Sequence, residues 1–150
     1  MTNQQNNTNQ FSFSIEQDLI WGDMDAFNHI NNTKYFRYFE NVRIEYFQKV
    51  GINQFMAKEK VGPILGETSC RYLSPLTYPD RITIRTGVTI LREKRFTMNY
   101  EILSKKQNKV VATGSGEVIF LDYKTGITCP IPLEITKQIK ALEKQAGKVL

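Results

Sequence analysis

The residue types most capable of chemistry lie together between residues 21 and 33. The segment WGDMDAFNHINNT holds two carboxylates, Asp23 and Asp25, and the single histidine of the chain, His29. A carboxylate can act as a general base toward water, or it can attack a carbonyl carbon directly. An ordinary aspartate, with a pKa of about 4, is a weak base, so desolvation by neighbouring aromatic side chains would strengthen it.

A long helix is predicted directly after this segment, over residues 33–50. This stretch is rich in Tyr and Phe and contains no Gly or Pro. The first N–H groups of a helix are unpaired and favour developing negative charge. We therefore expect backbone N–H groups of Asn31, Asn32 or Thr33 to polarise a carbonyl placed beside Asp25. These three residues are also common helix caps, and capping is the expected role of the Asn32 side chain.

The residues from Trp21 to Arg43 resemble the opening of the hot-dog-fold acyl-CoA thioesterases of the 4-hydroxybenzoyl-CoA thioesterase type. The shared pattern is W-G-D-M-D-x-x-x-H-I-N-N-x-x-Y-x-x-Y-x-E-x-x-R. The same segment looks like that of the acyl-carrier-protein thioesterases. The resemblance implies hydrolysis of an acyl-CoA thioester to a free acid and coenzyme A, with no metal or cofactor. It also implies active sites that are shared between subunits of a homodimer or a dimer of dimers.

The resemblance suggests a role for each residue of the motif. Asp25 corresponds to the catalytic aspartate, as general base or nucleophile, and Asp23 is expected to be structural. His29 matches a functional histidine of the carrier-protein enzymes, but Phe27 replaces their asparagine, so that network does not carry over whole. The predicted catalytic residues are Asp25, His29 and Asn32. The predicted substrate-binding residues are Trp21, Phe27, Asn31 and Thr33, of which Trp21 and Phe27 are expected to desolvate Asp25.

Glu40 is the reserve catalytic carboxylate, because some hot-dog thioesterases carry theirs on the central helix. Glu40 and Arg43 are three residues apart in the predicted helix, so an ion pair, within the helix or between subunits, is expected.

Alternating apolar and polar residues predict strands in the rest of the chain. The predicted strands cover 11–21, 64–74, 82–90, 96–102 and 110–121, with helices over 53–60 and near the C-terminus. Gly114 and Gly116 lie in the last of these strands, where they allow close approach of backbone or ligand. Successive hairpins and one buried helix indicate an antiparallel α+β domain. The hot-dog topology, a curved sheet wrapped around the long helix, is implied by the resemblance.

Composition restricts the remaining possibilities. The chain has 150 residues, a length typical of one domain, and we expect an Asn/Gln-rich disordered tail over 1–10 and a hot-dog domain over 11–150. The net charge of +5 is dispersed, which favours a solvated surface over nucleic-acid binding. A modest cluster, Arg92, Lys94, Arg95, Lys105, Lys106 and Lys109, is either solvated or a contact for coenzyme A phosphates. Two distant cysteines, one histidine and no long apolar run argue for a cytoplasmic protein without metal or membrane insertion.

Two further functions remain open on the sequence. A non-catalytic hot-dog module would bind acyl thioesters and regulate a partner. A hot-dog dehydratase would need a histidine and a separate acid that both reach the β-carbon, and His29 lies in the thioesterase-like context instead.

Overall fold

A computed structural model describes residues 11–150; the predicted tail, residues 1–10, lies outside the described residues. The elements follow in the order β1 Phe13–Asp18, α1 Thr33–Lys49, α2 Ile52–Glu59, β2 Val61–Tyr72, β3 Arg81–Leu91, β4 Arg95–Ser104, β5 Lys109–Asp122, β6 Ile127–Thr128 and α3 Leu133–Gln145. Within residues 11–150, no helix combines the length and the apolar character needed to cross a membrane.

The first strand is shorter than predicted. β1 ends at Asp18, which pairs with Arg81, the first residue of β3. Beyond this point the ladder has no partner strand, so Trp21–Asp23 forms a 3-10 turn instead. β6 was not predicted, and it is a short strand that pairs with the end of β5.

The strands form one antiparallel sheet in the order β1-β3-β4-β5-β2, with β6 added at β5. Register shifts interrupt the β2–β5, β3–β4 and β4–β5 pairs, and such bulges bend and twist a sheet. The sheet curls around α1, whose residues Phe39, Val42 and Tyr46 are fully buried. The predicted α+β hot-dog fold is therefore confirmed.

Close packing between α1 and the sheet depends on Gly114. The Phe39 ring stacks on Tyr100 with centroids 4.6 Å apart. A Cβ atom at Gly114 would collide with the Phe39 ring and would lie 2.6 Å from the Ser69 carbonyl oxygen. The close approach predicted at Gly114 is thus an approach of α1 to the sheet.

A buried carboxylate joins α3 to α1 and β3. Glu143 is fully buried, and its Oε1 accepts hydrogen bonds from Ser12 Oγ at 2.6 Å, Tyr46 OH at 2.8 Å and Val88 N at 3.0 Å. Its Oε2 lies 2.7 Å from Lys148 Nζ. We call these five residues the Glu143 cluster. The cluster was not predicted, because Ser12, Tyr46 and Val88 are each more than 50 residues from Glu143 along the chain.

Candidate active site

The loop between β1 and α1 is held by its own backbone. Asp25 N donates to His29 O at 2.9 Å, and Asn28 N donates to Asp25 O at 3.0 Å. Asn28 has a φ of 60°, a left-handed conformation that asparagine tolerates better than most residues. Ile30 N donates to Leu76 O at 2.8 Å, which anchors the loop to the segment between β2 and β3.

The Asp25 carboxylate has one oxygen bound by the loop and one nearly free. Oδ1 accepts from Phe27 N at 2.9 Å, whereas Oδ2 is a long 3.5 Å from Asn31 Nδ2. Asp25 is half-buried at the wall of a cavity of about 330 Å³. The other lining residues are Ile30, Asn32, Tyr35, Tyr72, Leu73, Ser74 and Pro75. A carboxylate oxygen is thus available to a molecule in this cavity, which we call the Asp25 cavity.

The helix start is capped by Asn31, and the predicted capping by the Asn32 side chain is wrong. Asn31 Oδ1 accepts from Thr33 N at 3.0 Å and from Thr33 Oγ1 at 2.7 Å. Asn32 occupies the cap position but makes no side-chain capping bond. Its backbone is already helical, with φ −55° and ψ −30°, whereas a capping side chain normally extends from β-region backbone.

The three backbone N–H groups expected to polarise a carbonyl are not equally available. Asn31 N donates to Asp23 O at 2.9 Å, and Thr33 N is occupied by the Asn31 side chain. Among residues 11–150, no acceptor engages the N–H of Asn32. Because Asn32 also lines the Asp25 cavity, it is the N–H donor that remains for a ligand.

Two aromatic residues expected to desolvate Asp25 do not do so within one chain. Trp21 is 70% exposed and Phe27 is 80% exposed. Neither lines the Asp25 cavity, so desolvation by these side chains requires something outside the single chain.

His29 and Asp23 flank the site without entering the Asp25 cavity. The His29 side chain is exposed, and the hydrogen bond between His29 and Asp25 uses the His29 backbone oxygen. The Asp23 carboxylate lies 3.5 Å from Lys34 Nζ in a partly exposed ion pair.

Glu40 and Asp25 line different cavities, and the predicted Glu40–Arg43 ion pair is wrong within the chain. Glu40 Oε1 lies 2.8 Å from Nη1 of Arg37, which precedes Glu40 by three residues, about one helical turn. Arg43 points to the buried side of α1 and donates to Tyr100 OH at 3.2 Å. Both Glu40 and Arg43 line a separate cavity of about 200 Å³ next to β2.

Several residues of the Asp25 cavity were not predicted. Tyr35 and Tyr72 meet edge to face, with centroids 4.9 Å apart, and Tyr72 OH donates to Asn32 O at 3.0 Å. Burial raises the pKa of Tyr35 to about 12, so its phenol stays protonated at neutral pH. Tyr35 could have been found from its place in the motif. Ser74 offered no signal, because it reads as the end of a strand before a proline.

Comparison with known proteins places this geometry in a family. The model of the thioesterase-like superfamily matches residues 19–139. The chain belongs to the thioesterase-like superfamily. The predicted family and the predicted class of enzyme, a thioester hydrolase, are confirmed. The roles of individual residues stay predictions.

Several relatives and solved structures resemble the chain at low identity. It is 28% identical over 90 residues to the uncharacterised protein YsmA of Bacillus subtilis, a match that spans 60% of each chain. It is 21% identical to the long-chain acyl-CoA thioesterase FadM of Escherichia coli, over 81% of this chain and 92% of FadM. A Thermus thermophilus thioesterase, solved with coenzyme A and Zn, superposes with a TM-score of 0.81 at 24% identity and covers 94% of this chain and 98% of its own. The likeness to the solved structure supports the fold alone.

Proposed function

We propose that the protein hydrolyses acyl-CoA thioesters, with Asp25 as general base or nucleophile and the Asn32 N–H polarising the thioester carbonyl. One observation carries this proposal. Asp25, which has one nearly free carboxylate oxygen, and Asn32, whose N–H has no acceptor among residues 11–150, line the same cavity of about 330 Å³. Thioester hydrolysis needs these two groups, one that activates or replaces water and one that stabilises the oxyanion.

The relatives favour coenzyme A as the carrier. FadM is named a long-chain acyl-CoA thioesterase, and the Thermus thermophilus structure was solved with coenzyme A. An acyl-carrier-protein substrate is the alternative.

The chemistry balances with the groups present. Water adds to the carbonyl carbon while Asp25 takes its proton, and the oxyanion forms at the Asn32 N–H. Collapse of the tetrahedral species breaks the carbon–sulfur bond and releases the thiolate, which takes up a proton. If Asp25 attacks instead, the acid–anhydride intermediate that forms is hydrolysed by water. Single turnover in ¹⁸O water places the label in the product acid for the first route. In the second route the label enters Asp25 when water attacks the Asp25 carbonyl of the anhydride and breaks its bond to the bridging oxygen.

A homodimer is part of the proposal. β2 is an edge strand of 12 residues, and long unpaired edges tend to pair with another chain. Ile64 and Leu65 on β2 are exposed and lie beside exposed Ile44 of α1 around one cavity. Apolar surface next to a free strand edge fits pairing of β2 with β2 of a second copy. The proposal retains the cytoplasmic location, since Cys70 and Cys129 are unpaired.

Light scattering at micromolar concentration tests the homodimer. We expect twice the chain mass, and about the chain mass for Ile64→Lys, which places a charge on the free edge. The single tryptophan, Trp21, gives a second measurement. If the partner covers Trp21, acrylamide quenches its fluorescence less in the wild type than in Ile64→Lys. A wild-type monomer would contradict the proposal.

The function is tested with a panel of acyl-CoA substrates and a thiol reagent. Asp25→Asn should lower kcat about 100-fold to 10,000-fold, because the amide cannot accept the proton. The matched control is Asp23→Asn, an acid two residues away that lies outside the Asp25 cavity and should keep most activity. Full activity of Asp25→Asn with loss in Glu40→Gln would move the catalytic role to Glu40. Thermal stabilisation by acyl-CoA without turnover would instead indicate a binding module.

A further inference from the structure

One glutamine makes side-chain hydrogen bonds to the wall of the Asp25 cavity that follows β2. Gln107 lies in the turn between β4 and β5, and its Nε2 donates to Pro75 O at 2.8 Å. Its Oε1 lies 2.6 Å from Ser74 Oγ. Ser74 and Pro75 both line the Asp25 cavity. Gln107 therefore contacts two wall residues without lining the cavity itself.

The turn that carries Gln107 is itself fixed. Gln107 N donates to Ser104 Oγ at 3.0 Å, and Ser104 Oγ donates to the Asp80 carboxylate. The other Asp80 oxygen accepts from Lys106 N at 2.9 Å. These hydrogen bonds hold the backbone of the turn in place, while the side-chain amide of Gln107 bonds to Ser74 and Pro75.

These contacts decide the direction of the Ser74 hydroxyl. A carbonyl oxygen can only accept, so the amide nitrogen of Gln107 must face Pro75 O. The amide oxygen then faces Ser74, which must donate its single proton to it. Ser74 lines the cavity, and its oxygen keeps only lone pairs for further hydrogen bonds, so toward a ligand it can act only as an acceptor. The side chains that flank Ser74 in the wall, those of Tyr72, Leu73 and Pro75, bring mainly apolar surface.

We propose that Ser74 accepts a hydrogen bond from the amide N–H of the thiol arm of the substrate, and that Gln107 is the positioning residue that makes it an acceptor. This inference rests on the proposed thioesterase function. Asp25 and the Asn32 N–H serve the thioester group, so the amide N–H next to the sulfur needs another acceptor when the cavity excludes water. The ligand class is a thioester whose thiol arm carries a secondary amide, as cysteamine-type arms do.

A pair of synthetic thioesters isolates this hydrogen bond. Both carry the same acyl group; one is the N-acetylcysteamine thioester, and the other has an ester oxygen in place of the amide N–H. We expect wild type to favour the amide substrate about fivefold to tenfold in kcat/KM, the size of one hydrogen bond. Ser74→Ala should lose this preference by slowing the amide substrate only. Ser74→Thr, which keeps the hydroxyl, should retain it.

Gln107→Ala tests the positioning role. Without Gln107 the Ser74 hydroxyl is free to turn and donate, so the preference for the amide substrate should fall while the ester analogue is hydrolysed at least as well. Ser69→Ala, a serine of β2 that pairs with Ser115 outside the Asp25 cavity, is the matched control and should keep the preference.

The outcomes separate this inference from the proposed function. If wild type hydrolyses neither thioester nor any acyl-CoA, the proposed function fails, and this inference with it. If wild type hydrolyses both thioesters equally well, the function stands and the role of Ser74 is wrong. Equal slowing of both substrates in Ser74→Ala also overturns it, because that result indicates a structural role alone. The wild-type comparison requires no variant to fold.

Discussion

Glu143 and Asp25 are both carboxylates that accept a backbone N–H, yet they lie in opposite surroundings. Glu143 is fully buried, with three donors on one oxygen and the Lys148 ammonium on the other. Asp25 is half-buried, with one loop N–H on one oxygen and a long contact on the other. A carboxylate whose acceptor sites are all occupied can only stabilise the fold. One with an open oxygen beside a cavity is available for chemistry.

The largest expected effect on stability comes from Glu143→Ala. It leaves Lys148, Tyr46 and the Val88 N–H without their partner inside the core, which should cost about 3–5 kcal/mol. Urea unfolding measures the change. Glu45→Ala, an exposed glutamate of α1, is the control and should stay within about 0.5 kcal/mol of wild type. Asp25→Asn should behave like the control in this assay. Equal losses of unfolding free energy in Glu143→Ala and Asp25→Asn would contradict the contrast between the two carboxylates.

A smaller loss is expected when only the ammonium is removed. Lys148→Met leaves Glu143 with its three other donors but removes the ammonium hydrogen bonds to Glu143 and to Val88 O. We therefore expect a loss of about 2–3 kcal/mol, the upper range for hydrogen bonds that involve a charged group. Lys140→Met, an exposed lysine of α3, is the matched control. A loss as large as that of Glu143→Ala would mean that the ion pair alone accounts for the stability of the Glu143 cluster.

The residue that caps α1, Asn31, affects both the stability of the helix and the surroundings of Asp25. Asn31→Ala removes the acceptor for Thr33 and the distant donor to Asp25, and should lower the unfolding free energy by about 1 kcal/mol. Asn32→Ala removes no side-chain cap and should cost less. Urea unfolding midpoints measure which of the two variants loses more stability. The reverse order would restore the capping role that the sequence assigned to Asn32.

Local patterns in the sequence were enough to predict most of the helices and strands, whereas the curved hot-dog topology was implied by the family resemblance. The α1 helix was predicted to begin at Thr33, as observed, because its spacing and its start depend on neighbouring residues. The end of β1 was misplaced because it depends on where β3 begins, more than 60 residues later. Pairing between distant strands is not encoded in either strand alone.

The residues of the candidate site also differ in whether they could be predicted from the sequence. Asp25 and Asn32 could be placed together because they flank one loop, and both line one cavity. Ser74 and Gln107 could not be found, since their contact joins two separate turns. Glu143 was missed for the same reason. Trp21 and Phe27 were expected to cover Asp25 because they are aromatic neighbours in sequence, but adjacency in a loop does not fix the direction of a side chain.

An effect confined to alkaline solution is expected for Tyr35. Burial raises its pKa to about 12, against about 10 in an unfolded chain. Its stabilising contribution is complete below pH of about 10 and is lost as the pH rises toward about 12, because only the unfolded chain gives up the proton in that window. The unfolding free energy of wild type should therefore fall more steeply with pH than that of Tyr35→Phe. Tyr78→Phe, an exposed tyrosine, is the matched control. Equal slopes for wild type and Tyr35→Phe would mean that water reaches the phenol through the Asp25 cavity. That result would make the region around Asp25 more open than its lining suggests, and would sharpen its contrast with the sealed Glu143 cluster.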